Sequence, residues 1–270
     1  MNILVVGLGL IGGSIVKGLK DKGYNVYGND IDQLVVDVCY SDGLIKNQTE
    51  VSIEEMDVVF VCLYPDKTIS YLKEKMQLFK SGAIITDVVG LKDFMMTSIH
   101  EFLREDVCFI GGHPMAGREG SGFFQSTETI FTDANYLLVF DQVCSETETL
   151  KNIISDLGCG HIEVLDAKSH DDIIAYTSHM PHILSTAYMK CDRFEKTKHC
   201  IAGSFRDITR VSNINTSLWT ELIMDNRQPV LNEIKQFKEA LSEIENHILS
   251  MDSKSIEEFL EGAKIKKQSL

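Results

Sequence analysis

The sequence predicts an α/β domain with a mostly parallel sheet over residues 1–164, followed by an all-α domain over residues 165–270. Three observations support this fold class. The first two thirds of the chain alternate short apolar runs with amphipathic segments, which is typical of βαβ units. A glycine-rich turn follows the first apolar run. After Leu165 the β-branched runs stop, and segments with helical periodicity replace them.

Seven apolar runs are the predicted strands, and the amphipathic segments between them are the predicted helices. Each of these segments is long enough for a right-handed crossover between parallel strands. Asp252 and Ser253 predict the start of a separate last helix. The predicted strands are Asn2–Val6, Asn25–Gly28, Val58–Cys62, Ala83–Thr86, Cys108–Gly111, Tyr136–Phe140 and His161–Leu165, and the clearest helices are Ser14–Lys22, Lys67–Phe79, Thr147–Leu157, Gln228–Ser250 and Ser253–Lys266.

The composition excludes several classes of partner. The chain has 270 residues, 40 acidic and 26 basic side chains, and a formal net charge of −14. Because an acidic surface repels phosphate backbones and anionic lipid, neither nucleic acid nor a membrane is an expected partner. No apolar stretch approaches the length of a membrane span or a signal sequence. The seven cysteines are scattered without a CxxC pair, so we expect a reduced, cytoplasmic chain.

The negative charge is concentrated in the first predicted domain. Residues 1–164 carry 24 acidic and 12 basic side chains, a net −12, whereas residues 165–270 carry 16 and 14, a net −2. The second domain also holds four of the six arginines. Anion sites are therefore expected to be local, at a helix N-terminus in the first domain and at guanidinium groups in the second.

A dinucleotide-binding fingerprint lies at the N-terminus. Gly7, Gly9 and Gly12 form G-x-G-x-x-G between the first predicted strand and a helix that begins near Ile11. Such glycines allow a tight turn, a close approach of the pyrophosphate and close helix packing, and the helix N-terminus attracts the phosphates. The loop, with Leu10 and Ile11, predicts a Rossmann-type cofactor site. The alternative is a glycine-rich turn that binds nothing.

Asp30 follows Gly12 by eighteen residues and ends the second predicted strand. A carboxylate at this position binds the hydroxyl groups of the adenosine ribose. Asp30 and the nearby Asp32 would repel a 2′-phosphate, and no arginine or lysine lies in residues 29–36 to bind one. The predicted cofactor is therefore NAD rather than NADP.

His113 is the first candidate for catalysis. It follows the apolar run Val107–Ile110 and therefore lies just past the C-terminal end of a predicted strand, at the edge where open α/β sheets bind ligands. A histidine accepts a proton near neutral pH, because the unperturbed pKa of imidazole is about 6.5. The alternative is a turn histidine that orders the loop at Pro114.

His179 and His182 are three residues apart and would share one face of a helix, unless Pro181 between them starts or kinks it. Zinc binding by the histidines is disfavoured, because no carboxylate or thiolate completes a tetrahedral set. No metal is expected.

Arg206 and Arg210 are four residues apart, on roughly one helical face. Guanidinium groups bind carboxylates in a bidentate manner, so the pair indicates an anionic substrate. The alternative is a solvated helix on which Asp207 pairs with an arginine. Trp219, nine residues later, is by itself more typical of a core.

The segments GLGLIGGS, GGHPMAG, SHMPH and GSFRDITR, followed by a tryptophan, resemble the prephenate dehydrogenase family, which includes the arogenate dehydrogenases. The resemblance covers nearly the whole chain. It implies NAD-dependent oxidative decarboxylation of prephenate to 4-hydroxyphenylpyruvate in tyrosine biosynthesis, and a homodimer formed through an all-α dimerisation domain. Arogenate dehydrogenase and a non-catalytic NAD-binding regulator are the alternatives. Other β-hydroxyacid-type dehydrogenases are disfavoured, because their catalytic lysine motif is not found.

The resemblance also implies roles for single residues. His113 matches the histidine that accepts the hydrogen bond and then the proton of the ring hydroxyl, and Arg210 matches the arginine that binds a prephenate carboxylate. Two residues depart from the family pattern: Gly90 stands where a serine is common, and Arg118 either contacts a second carboxylate or pairs with Glu119. The other positions implied at the substrate pocket are His182, His179, His170, Asp207 and Trp219, of which Trp219 is expected from the second subunit.

Overall fold

The structure is a computed structural model that describes residues 1–117, 120–140, 146–191, 195 and 198–269. Its backbone contacts divide the chain into two units, Met1–Asp171 and Asp172–Leu270. The first unit is built on a mostly parallel sheet with helices, and the second is helical. The predicted fold class is therefore confirmed. A domain boundary after residue 164 stays a prediction.

A seven-stranded sheet forms the centre of the first unit, and its strand order is β2-β1-β3-β4-β5-β6-β7. All neighbouring strands pair in parallel except β5 and β6, which are antiparallel. The direction in which strands are added reverses at β1, and in such sheets the crevice at the reversal is where ligands bind. The strands are β1 (Asn2–Val6), β2 (Asn25–Asn29), β3 (Val58–Val61), β4 (Ile84–Asp87), β5 (Cys108–Pro114), β6 (Asn135–Val139) and β7 (His161–Leu165).

The side chains of β1 show why the sheet is covered on both faces. Ile3 and Val5 belong to one buried cluster, and Leu4 and Val6 belong to another. Successive side chains of a strand point to opposite faces, so a continuous apolar run needs helices on both sides. The helices that begin in this unit are α1 (Leu10–Gly18), α2 (Gln33–Ser41), α3 (Pro65–Lys75), α4 (Asp93–His100), α5 (Thr147–Asp156) and α6 (Ala167–Ile174), with 3₁₀ turns at Ile53–Glu55, Met76–Leu78 and Phe123–Gln125.

Two elements near the candidate site, α1 and β5, differ from their predicted bounds by three or four residues. Helix α1 begins four residues before the predicted Ser14, directly after the glycine turn, and it ends before Asp21, whose φ of 62° is left-handed. Strand β5 runs three residues beyond the predicted Gly111, because residues 111–114 pair with the antiparallel strand β6.

The second unit contains the predicted long C-terminal helices, each within two residues of its expected ends. The last helix is capped by Asp252, whose carboxylate accepts a hydrogen bond from the Ser255 N–H at 3.1 Å. None of the described helices is both long and apolar enough to cross a membrane. The elements are a π-helical turn (Ala175–His179), α7 (Met180–Met189), α8 (Gly203–Thr209), a 3₁₀ turn (Arg210–Ser212), α9 (Thr216–Asp225), α10 (Arg227–Leu249) and α11 (Ser253–Gln268).

The expectation of a reduced chain is contradicted at Cys108, which is disulfide-bonded. A sequence pattern without CxxC pairs does not reveal cysteines that the fold brings together. The free thiols among the described residues are Cys39, Cys62, Cys159, Cys191 and Cys200.

Candidate active site

The glycine loop lies between the end of β1 and the start of α1. Gly7 has a φ of +86°, and a Cβ there would lie 2.5 Å from the carbonyl oxygen of Cys62. A Cβ on Gly12 would lie 1.9 Å from the carbonyl oxygen of Gly7. Any side chain at Gly7 or Gly12 would therefore clash with the protein's own main chain, whether or not a ligand is bound.

Gly9 differs from the other two glycines of the motif, Gly7 and Gly12. Its φ is −74°, and no protein atom lies within 4 Å of the place a Cβ would occupy. The fold itself therefore does not require glycine at this position. No side chain caps the following helix, so the N–H groups of its first turn, which includes Leu10 and Ile11, receive no capping hydrogen bond from a side chain. Open space beside an uncapped helix N-terminus is what a pyrophosphate needs.

Asp30 is held at the same loop. Its carboxylate accepts hydrogen bonds from the Leu8 N–H at 2.6 Å and from the Asp32 N–H at 2.9 Å. It lines a cavity of about 300 Å³, and its only charged companion among the described lining residues is Glu50. This cavity is therefore negatively charged, which disfavours a ligand with an additional phosphate there.

His113 lies in the last part of β5 and pairs across the sheet with Leu137. The sequence placed it just past the end of the strand, and the antiparallel pairing with β6 explains why it is instead within it. Its ring is half-buried. The backbone just before it is anchored, because the Gly112 N–H donates to Oδ1 of Asp87 at 3.0 Å.

The ring of His113 is held by two residues that lie more than fifty positions away in the chain. Its Nδ1 is 2.9 Å from Nε2 of His170, and Nδ1 of His170 is 2.7 Å from Oδ1 of Asp171. The His170 side chain is completely buried, and that of Asp171 is 8% exposed. The structure thus forms a hydrogen-bonded chain from His113 through His170 to Asp171.

Lys92 joins the two carboxylates of this region. Its backbone N–H donates to Asp171 at 2.8 Å, and its Nζ donates to Asp87 at 2.7 Å and to the carbonyl oxygen of Val89 at 2.7 Å. Both members of the Lys92–Asp87 ion pair are completely buried. Burial lowers the pKa of Lys92 below its ordinary value, and the Asp87 carboxylate opposes that shift. The sequence singled out the segment 86–92 but gave no role to Asp87 or Lys92, and it did not single out Asp171, because the linear pattern does not show which residues contact the surroundings of His113.

In the second unit, Trp219 stacks on the ring of His182, with ring centroids 3.8 Å apart and planes 29° apart. Nδ1 of His182 lies 2.8 Å from the carbonyl oxygen of Ser178. Because a carbonyl oxygen only accepts, Nδ1 is the donor, and in the neutral ring Nε2 is the acceptor. Trp219 packs on a histidine of its own chain, and its contribution to the pocket of a second subunit, which the resemblance implies, stays a prediction.

His179 lies at the end of the π-helical turn and is buried. Its ring meets Trp219 edge-on, with centroids 5.9 Å apart, and its Nδ1 is 3.4 Å from the side-chain amide of Asn226. The sequence left open whether Pro181 starts a helix or kinks it. In the structure α6, the π-helical turn and α7 follow one another without a break, so Pro181 lies within a continuous helical segment, two residues after the π-helical turn, rather than at a free helix start.

Arg206 and Asp207 lie on the exposed side of α8, and the exposed Arg210 begins the 3₁₀ turn that follows it. Among the described residues neither arginine forms an ion pair, so the pairing with Asp207 that the alternative interpretation requires is not found there. The turn at Arg210 packs against α7, which carries His182. Arg118 lies outside the described residues.

Within the part of the chain that the structure describes, no group of three or more His, Cys, Asp or Glu side chains is placed to hold a metal ion.

Comparison with known proteins gives matches along most of the chain. Residues 15–160 match the family model described as "Prephenate dehydrogenase, nucleotide-binding domain", and residues 166–263 match "Prephenate dehydrogenase, dimerization domain". Prephenate dehydrogenase of Lactococcus lactis subsp. cremoris is 34% identical over 280 residues, which cover 100% of this chain and 77% of that protein.

Two solved structures share the fold. Arogenate dehydrogenase of Synechocystis has a TM-score of 0.88 at 24% identity and covers 100% of this chain and 99% of its own. Prephenate dehydrogenase of Aquifex aeolicus, solved with hydroxyphenyl propionate and NAD⁺, has a TM-score of 0.84 at 23% identity and covers 100% and 98%. At these identities the likeness concerns the fold.

Proposed function

This chain belongs to the prephenate dehydrogenase family, and from that premise we propose that it oxidises prephenate with NAD to 4-hydroxyphenylpyruvate and CO₂ in tyrosine biosynthesis. The observation that carries the proposal is that the first unit contains both the glycine loop and a histidine whose ring is oriented by hydrogen bonds. Gly9 leaves room for a pyrophosphate, and the ring of His113 is held by a buried hydrogen-bonded chain. A dehydrogenase needs these two parts, whereas a regulator that only binds NAD needs the first alone.

The loop residues fit a dinucleotide. The uncapped N-terminus of α1 and the space beside Gly9 suit the pyrophosphate, and the Asp30 carboxylate suits the ribose hydroxyls. The negative charge of Asp30 and Glu50 favours NAD over NADP. When bound, NAD supplies the acceptor for the hydride that leaves C4 of the cyclohexadienol ring.

His113 is the proposed catalytic base. Its ring accepts the hydrogen bond of the C4 hydroxyl and then its proton, which stabilises the carbonyl character that develops as the hydride leaves. Such a positioned base contributes a factor of about 10² to 10⁴ to the rate. Loss of CO₂ then makes the ring aromatic, which drives the reaction forward.

Arg210 is the proposed ligand of a prephenate carboxylate. It is exposed and lacks an ion pair with any described residue, so its guanidinium can bind an external anion. The stacked rings of His182 and Trp219, with His179 behind them, offer a flat wall for the substrate. Asp207 stays a prediction as a pocket residue, and so does Arg118.

We also propose a homodimer through the second unit. Helix α10 has 23 residues, of which only Val230 is buried, although it carries several large apolar side chains. An amphipathic helix with an uncovered apolar side is typical of a subunit interface. Light scattering should give twice the monomer mass, and a monomer at working concentration would contradict the proposal. The exposed apolar side chains of this helix include Leu231, Leu241, Ile248 and Leu249.

One set of assays tests the activity. NADH formation is followed with prephenate and with arogenate, each in the presence of NAD or NADP. Turnover of prephenate with NAD is expected. A preference for arogenate would transfer the proposal to the related reaction, tighter use of NADP would refute the reading of Asp30, and no turnover with either substrate would favour the regulator.

A further inference from the structure

We propose that His170 and Asp171 are positioning residues that fix the tautomer of His113, so that Nε2 of His113 is the atom that accepts the substrate proton. The resemblance had placed His170 at the substrate pocket. Because both ring nitrogens of His170 bond within the protein and its side chain is completely buried, it is instead suited to act through His113. That the accepted proton comes from the substrate rests on the proposed function, whereas the assignment of the His113 tautomer does not.

The chain of hydrogen bonds starts at Asp171. One of its carboxylate oxygens accepts from the Lys92 N–H at 2.8 Å, and the other accepts from the Asp93 N–H at 2.9 Å. Two N–H donors, one on each oxygen, favour the ionised carboxylate and fix its orientation. An ionised carboxylate only accepts hydrogen bonds. Nδ1 of His170, at 2.7 Å from Asp171, must therefore carry a proton.

The second step transfers this assignment to His113. A neutral His170 with its proton on Nδ1 has a lone pair on Nε2. That Nε2 lies 2.9 Å from Nδ1 of His113, so Nδ1 of His113 must be the donor. The rings are tilted by 53°, which suits an in-plane hydrogen bond better than stacking. The proton on Nδ1 leaves Nε2 of His113 as the acceptor of its ring.

The opposite assignment has a distinct consequence. If Nε2 of His170 donated, the lone pair of His113 would lie on Nδ1, inside the hydrogen-bonded chain. Nε2 of His113 would then carry a proton and could not act as a base. The ionised Asp171 disfavours this arrangement, since it would require His170 to be doubly protonated.

Burial keeps the assignment in place during the reaction. When His113 takes the substrate proton, its ring becomes positive, and Nδ1 still donates to His170. The Asp171 carboxylate, one imidazole further along, balances this charge where water does not screen it. The same division of roles between a histidine and a buried carboxylate operates in hydrolytic triads, in which the acid holds the tautomer.

The tautomer can be measured directly in the wild-type protein. Nitrogen-15 NMR of histidine-labelled holoenzyme with bound NAD reports which ring nitrogen of His113 carries the proton, and a His113→Asn variant assigns the signal. We expect the proton on Nδ1. A proton on Nε2 in the neutral ring would overturn the proposal, whatever the activity of the enzyme.

Two substitutions at one position separate positioning from packing. His170→Phe keeps a ring of similar size but removes the acceptor, and we expect kcat to fall by about a hundredfold while KM for prephenate changes little. His170→Gln offers an amide oxygen to Nδ1 of His113, and we expect it to restore kcat to within about tenfold of wild type. A purely structural role predicts no advantage for Gln over Phe.

A matched control uses a second hydrogen-bonded histidine–carboxylate pair among the described residues of the first unit. His161 lies 2.9 Å from Glu163 on the exposed strand β7, and His161→Phe should leave kcat unchanged. Wild-type kcat in a folded His170→Phe would overturn the proposal. If that variant does not fold, the wild-type tautomer and the His170→Gln activity still decide it. Absence of wild-type turnover would refute the proposed function and leave the tautomer measurable.

Discussion

Gly9→Ala should separate cofactor binding from folding. The backbone at Gly9 has a φ of −74°, which alanine adopts, and a methyl group there would have no protein atom within 4 Å. We therefore expect the variant without cofactor to be as stable as wild type. The methyl group would instead occupy space beside the uncapped start of α1, where the pyrophosphate is proposed to lie. The expected effect is weaker binding of NAD.

The size of the effect follows from the binding equilibrium. At a free NAD concentration of one hundred times Kd, binding stabilises the wild-type protein by about 2.7 kcal/mol. A loss of affinity of about a hundredfold, or about 2.7 kcal/mol, leaves the variant half saturated and stabilised by about 0.4 kcal/mol. For a domain of this size each kcal/mol moves Tm by about 2–4 °C. The shift in Tm on adding NAD should fall from about 5–11 °C to about 1 °C.

Thermal unfolding with and without NAD gives both quantities, and calorimetric titration gives Kd. Gly12→Ala is the contrast, since its methyl group would lie 1.9 Å from a carbonyl oxygen and must lower Tm even without NAD. Gly262→Ala on α11, also with no atom within 4 Å, controls for a gain in helix propensity. Wild-type affinity for NAD in Gly9→Ala would refute the reasoning.

Four further substitutions give predictions. Asp30→Ala should raise Kd for NAD by about tenfold, because the carboxylate is proposed to bind the ribose hydroxyls. It should also lower the ratio of the Kd for NADP to the Kd for NAD, because the charge that repels a 2′-phosphate is lost. Titration with each cofactor measures both values. Arg210→Ala should raise KM for prephenate by about ten- to a hundredfold with little change in kcat, whereas unchanged KM, or an equal effect of Arg206→Ala, would contradict the assignment. Lys92→Met should lower the free energy of unfolding by about 3–5 kcal/mol in denaturant titrations, because it leaves a carboxylate buried and unpaired. Burial and the neighbouring Asp156 carboxylate raise the pKa of Tyr24 from 10.0 to about 12. The Tyr24 hydroxyl therefore stabilises the folded protein fully below pH 10, and this stabilisation is lost as the pH rises through about 12. In Tyr24→Phe the free energy of unfolding should fall less steeply over this alkaline range.

Local chemistry explains why most of the fold was predictable from the sequence. Strand β1 and its glycine loop follow from an apolar run and the steric demands of Gly7 and Gly12, all within twelve residues. The long helices α10 and α11 follow from periodicity and from the cap at Asp252. These signals lie close together in the sequence, so no knowledge of distant contacts is needed to read them.

The end of β5 was not predictable in this way. Residues 111–114 remain in strand conformation because β6 pairs with them in the antiparallel direction, and the sequence of β5 does not contain that information. The same holds for the surroundings of His113. Its ring partner His170 is 57 residues away, and the residue that orients this partner is bonded to the start of α4. Family resemblance identified His170 as a site residue, but only the contacts show that it bonds to His113.

Gly90 lies in the segment from Asp87 to Lys92 and stands where a serine is common in the family. The hydrogen bonds of this segment show what the missing hydroxyl group changes. Asp87 anchors the backbone at Gly112, and the Lys92 N–H anchors Asp171, so two carboxylates hold the backbone and the ring of the same region. All these bonds use the side chains of Asp87 and Asp171 or the main chain, and none requires a side chain at position 90. Glycine in place of the family serine therefore removes a hydroxyl group without loosening the support of His113. In the proposed mechanism the orientation of His113 then depends on His170, so His170→Phe is expected to lower kcat although position 90 carries no side chain.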